Sequence, residues 1–85
     1  MDGDRYRELA RRESELAQAE LERSRGAWVY ALSQESEGLR DHFIRIAAQS
    51  RAAWRQHEDM ARHFERVAKR QQERARSESG VEALN

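Results

Sequence analysis

From Phe43 onward, apolar or small positions recur at alternating intervals of three and four. Phe43, Ile46, Ser50, Ala53, His57, Met60, Phe64 and Val67 form the row. A helix turns about 100° per residue, so these positions share one stripe, the a/d seam of a heptad repeat. With Phe43 at a and Ile46 at d, the adjoining e positions hold Ala47, Trp54, Ala61 and Ala68. That makes the stripe wide enough for a helical bundle. Leu39 extends it backward, and Ser36 stands where an N-cap is needed. Gln71 to Arg76 are polar and read as a fraying end. The spacing predicts a helix over about 36–76.

The first half carries a second row. Ala10, Ser14, Ala17, Leu21, Ser24, Trp28 and Ala31 are spaced four and three, with Leu9 and Leu16 beside them and Tyr6 one turn earlier. The row predicts a helix over about 4–33, with Gly26 its weakest interior residue. Residues 77–85, SESGVEALN, continue neither row and are expected to form a flexible tail.

Two helices with a turn at about 33–36 predict an all-α fold, an antiparallel αα-hairpin over residues 1–76. Constant helical rise then sets residue i opposite residue 70 − i. Tyr6 faces Phe64, Glu13 faces His57, and Trp28 points into the core near Phe43 and Leu39. A lone hairpin leaves much of each stripe wet, and small chains commonly need a second copy or a staple. A homodimer forming a four-helix bundle, coiled-coil-like in its packing, is the expected assembly.

Composition narrows the picture further. The 85 residues contain no proline and no cysteine. Helix breakers are therefore few, and thiolate chemistry and disulfides are excluded. The longest apolar run, Ala27 to Leu32, is far short of a membrane span. The charged start MDGDRYRELARRESEL does not read as a signal peptide. A soluble, cytoplasmic protein without membrane contact is expected. Net charge is zero, with 16 basic and 16 acidic residues interspersed, which favours helix over a self-repelling coil.

Candidate chemistry is sparse. No phosphate-binding glycine loop, G-x-S-x-G or H-E-x-x-H motif occurs, so neither catalysis nor a cofactor is expected. QHEDMARH (56–63) supplies candidate metal ligands in His57, Asp59 and His63, Asp59 and His63 being one turn apart. The alternative makes His57 a half-buried core residue hydrogen-bonded to Glu13. Nucleic acid is a further candidate ligand. Residues 37–76 carry 10 basic against 6 acidic groups, and Arg55, Arg62 and Lys69 recur every seven residues, with Arg66 nearby. Such a ridge can meet successive phosphates. It can equally well just solvate the helix, and overall neutrality favours that.

RGAWVYALSQES (25–36) wraps apolar side chains around a full turn, more than one hairpin face can bury. With Trp28 assigned to the core, Val29, Tyr30 and Ile44 remain as a partner-binding patch at the turn end. The sequence therefore points to a small non-enzymatic interaction or adaptor protein that acts through oligomerisation. The alternatives are a nucleic-acid-binding regulator using the second helix, and a metal-binding bundle.

Overall fold

The computed structural model describes the backbone of residues 2–84 and the side chains of residues 3–78. Helix α1 runs Asp2–Ser33 and helix α2 runs Glu37–Leu84, and they pack antiparallel as a hairpin. No strand occurs among the described residues. The rod measures 75 × 13 × 12 Å. A 48-residue helix rising about 1.5 Å per residue accounts for that length.

The turn is held by local hydrogen bonds. Ser36 caps α2: its Oγ accepts from the Leu39 amide at 3.5 Å, and its carbonyl accepts the first helical bond, from Arg40 N at 3.0 Å. The Arg40 guanidinium donates to the Gln34 carbonyl at 2.9 Å, satisfying an acceptor that lies beyond the end of α1. α2 continues as helix to Leu84, past the expected end at 76. No proline interrupts residues 77–84, and Gly80 is the costliest residue there for a helix.

The predicted register is present. Tyr6 stacks on Phe64 with ring centroids 6.2 Å apart, and His57 Nδ1 meets Glu13 Oε2 at 2.5 Å. Nearer the turn, the Ser24 hydroxyl donates to the Ala47 carbonyl at 2.9 Å.

The seam itself is rotated from the predicted a/d line. The most buried residues are alanines (Ala10, Ala17, Ala27, Ala31, Ala47, Ala61 and Ala68) together with Ser24 and Ser50. On α1, Gly3, Ala10, Ala17, Ser24 and Ala31 place a small residue at every seventh position. On α2 the alanines at e and Ser50 at a are buried, whereas Phe43, His57 and Phe64 at a and Ile46, Ala53 and Val67 at d are half-buried and Met60 at d is exposed. Small side chains let the backbones approach closely. At the open end, a Cβ added to Gly3 would lie 3.7 Å from the Ala68 carbonyl oxygen. In mid-helix, a serine side chain is long enough to bond the opposite backbone.

Trp28 is the main correction to the expected core. It is 45% exposed, and Ala27, at 7%, takes the inward position. An indole does not fit a seam whose backbones are this close. Tyr30, not Trp28, stacks on Phe43, at 5.5 Å.

Candidate interaction surfaces

Two faces of the hairpin carry the large apolar side chains. Residues i and i+3 are neighbours on a helix. Tyr6, Glu13 and Ala27 are followed at that interval by Leu9, Leu16 and Tyr30. Across the hairpin, Phe43, His57 and Phe64 are followed by Ile46, Met60 and Val67. In an antiparallel pair, the same rotation carries both sets to the same side. Leu9, Leu16 and Tyr30 thus share one long face with Leu39, Ile46, Ala53, Met60 and Val67. This is the Leu16–Met60 face. Here Leu16 is 49% exposed, Leu39 50% and Met60 42%.

Stepping four residues from Ser24 and Ala47 leads to the opposite side. Leu21, Trp28 and Ile44 lie there among Arg51, Glu58 and Glu65. Val29 and Leu32 point away from α2 altogether and are the most exposed of the large apolar residues. The proposed patch of Val29, Tyr30 and Ile44 is therefore dispersed. Tyr30 belongs to the Leu16–Met60 face, Ile44 to the opposite face, and Val29 to the back of α1. The turn end is apolar on all sides because Ala27 and Ala31 occupy the seam, which displaces their bulky neighbours outward. No known protein family, curated protein or solved structure matches the chain.

Two polar pairs lie within the Leu16–Met60 face, Glu13 with His57 and Glu20 with Arg23. An ionised carboxylate only accepts, so His57 Nδ1–H donates to Glu13. Both side chains are half-buried, in keeping with a polar pair at an a position that helps fix register. Glu20, largely buried, holds Arg23 at 3.3 Å.

The candidate metal ligands are not gathered into a site. His57 is engaged by Glu13, the exposed Asp59 lies 3.8 Å from Arg62, and His63 tilts against Phe64. Among the described residues, no group of three or more His, Asp or Glu is placed to hold a metal ion. The candidate nucleic-acid residues Arg55, Arg62, Arg66 and Lys69 are all exposed along α2. Arg62 is shared between Glu58, at 3.4 Å, and Asp59. A shallow depression of about 250 Å³ lies between Arg51, Trp54, Arg55, Glu58, Asp59 and Arg62, all on α2. Trp54 is half-buried there, so neither tryptophan is a fully enclosed core residue. On α1, the hydrogen bond from Arg11 to Glu8 at 2.6 Å raises the guanidinium pKa, which leaves it charged as before. Among the described residues, no helix is long and apolar enough to cross a membrane.

The half-exposed column was readable in principle. Leu9, Leu16 and Tyr30 fall on a seven-residue spacing interrupted by Arg23, and Leu39 to Val67 keep it without interruption. Assigning the largest side chains to the seam concealed it.

Proposed function

We propose that this chain is a small, non-enzymatic, cytoplasmic helical protein that works through self-association and protein–protein contact. One observation carries the reading: the order of burial is inverted. Alanine and serine fill the seam, while Leu16, Trp28, Tyr30, Leu39 and Met60 remain 42% exposed or more. Single exposed apolar residues are ordinary on any protein. Here no large side chain is fully buried among the described residues, and the chain has no disulfide to compensate. A second hairpin completing a four-helix bundle would supply the missing burial. Sedimentation equilibrium at micromolar concentration tests this. The expected mass is that of a dimer, and a well-folded monomer throughout refutes it.

A second reading is favoured by the exposed row of Arg55, Arg62 and Lys69. These lie about 10.5 Å apart along α2, a spacing that can follow a phosphate backbone. Replacing all three with Gln should then abolish retention on nucleic acid and flatten its salt dependence. Absence of retention by the unaltered chain at low salt refutes this second reading.

A further inference from the structure

We infer that the Leu16–Met60 face is where a second copy of this chain docks, with the Trp28–Ile44 face left outside. The inference rests on the self-association proposed above and assigns its surface.

Continuity distinguishes the two faces. On α2, Leu39, Ile46, Ala53, Met60 and Val67 place an apolar residue at five successive heptad positions. They span roughly 42 Å of helix. The corresponding column of the opposite face reads Glu37, Ile44, Arg51, Glu58 and Glu65. Covering that column would strip water from four charged side chains, of which only Glu58 is ion-paired among the described residues, a heavy cost for the other three.

Charge indicates which occupant fits. Within the Leu16–Met60 face the charges are matched inside the hairpin, Glu13 with His57 and Glu20 with Arg23; exposed Arg5, Arg12 and Arg70 stand at its margin, at the end away from the turn. A second copy presents the same apolar column and the same internally paired groups, and a two-fold interface requires that kind of self-complementarity.

Area indicates how large the occupant is. The chain exposes 6941 Å². A compact monomer of 10.0 kDa would expose about 5,200 Å². Part of the difference of roughly 1,700 Å² is the stretch of α2 beyond Gln71, which has no α1 opposite it. The remainder follows from the thin two-helix cross-section of the rod. Stable interfaces cover about 800 Å² per partner, and obligate dimers about 1,000–2,500 Å². A short peptide would leave most of a 42 Å column wet, whereas a second hairpin matches its length.

The test compares two double variants by sedimentation equilibrium, with circular dichroism to follow helicity. Leu16→Glu with Met60→Glu should weaken the dimer by about 100-fold or more. Trp28→Glu with Ile44→Glu should leave the dissociation constant within about threefold, as expected outside an interface. Should the first variant lose its helices, thiol protection decides instead. The chain has no cysteine of its own, so Met60→Cys and Arg51→Cys each give a single reporter. The thiol at position 60 should resist alkylation at high protein concentration and react on dilution. The thiol at position 51 should react freely at both. A wild-type chain that stays monomeric overturns the self-association and this inference together. A dimer in which both thiols react alike, or which dissociates through Trp28→Glu with Ile44→Glu and not through Leu16→Glu with Met60→Glu, overturns only the choice of face.

Discussion

Substituting Ala17→Leu tests the small-residue seam directly. Ala17 is 1% exposed, and the register places it opposite Ala53 and Trp54. Leucine brings three more carbons. If the helices could part to accommodate them, burial at about 0.8 kcal/mol per methylene would stabilise the fold by roughly 2.4 kcal/mol. The helices are not free to part. Seven residues along, on the same column, Ser24 Oγ is bonded to the Ala47 carbonyl at 2.9 Å. That tether lies only about 10.5 Å away. Overpacking a closed seam costs about 1–3 kcal/mol. In a chain of 85 residues, each kilocalorie lowers Tm by about 4–8 °C, so the midpoint should fall by roughly 4–24 °C. Thermal unfolding followed by circular dichroism reads this, with protein concentration held fixed because association also shifts Tm. Ala52→Leu is the matched control: it makes the same chemical change at an exposed position on the back of α2 and should change stability by no more than about 0.5 kcal/mol. An Ala17→Leu midpoint equal to or above wild type would refute the close-packed seam.

Two further substitutions probe α1 and the cross-hairpin pair. Gly26 is exposed, and a Cβ added there meets nothing within 4 Å. Gly26→Ala should therefore stabilise the helix by about 1 kcal/mol, read from urea unfolding; a neutral or destabilising result would mean that position 26 is covered in the assembly. The half-buried Glu13–His57 bond should show a coupling of about 0.5–1.5 kcal/mol in a cycle with Glu13→Ala and His57→Ala. Strict additivity would make the pair a surface contact of no consequence.

The hairpin, its register and the Ser36 cap could all be read from the sequence, because each depends on spacing or on one local residue type. Rise per residue is constant, so locating the turn near 34 also fixed Glu13 opposite His57. The phase of the seam was harder. The a/d rule assigns large residues to the interface, and on α2 both the d and the e columns are apolar. Choosing between them requires knowing how closely the backbones approach. The relevant signal is small residues at sevenfold spacing, Gly3, Ala10, Ala17, Ser24 and Ala31 against Ala47, Ala61 and Ala68. Taking Trp28 as core followed from the same assumption, and with it the grouping of Val29, Tyr30 and Ile44. The Leu84 end of α2 was missed for another reason. Extending a helix already nucleated costs far less than starting one, and no proline interrupts residues 77–84, so the helical backbone runs on past the last apolar contact.

The seam and the exposed faces have a single cause. An alanine or serine contact brings two backbones together but buries little apolar area. Bulkier side chains one step around the helix then cannot enter, and they line the flanks of a thin rod. Leu16, Leu39 and Met60 keep about half their surface in water. Of the roughly 1.5–3 kcal/mol available from burying such a side chain fully, about 1 kcal/mol each is still unrealised. Counting Leu9, Tyr30, Ile46 and Val67 as well, and both copies, the total is on the order of 10 kcal/mol. Association itself costs at least about 4 kcal/mol, so the self-association proposed above would be partly offset and sensitive to concentration, which sedimentation equilibrium over a dilution series reads.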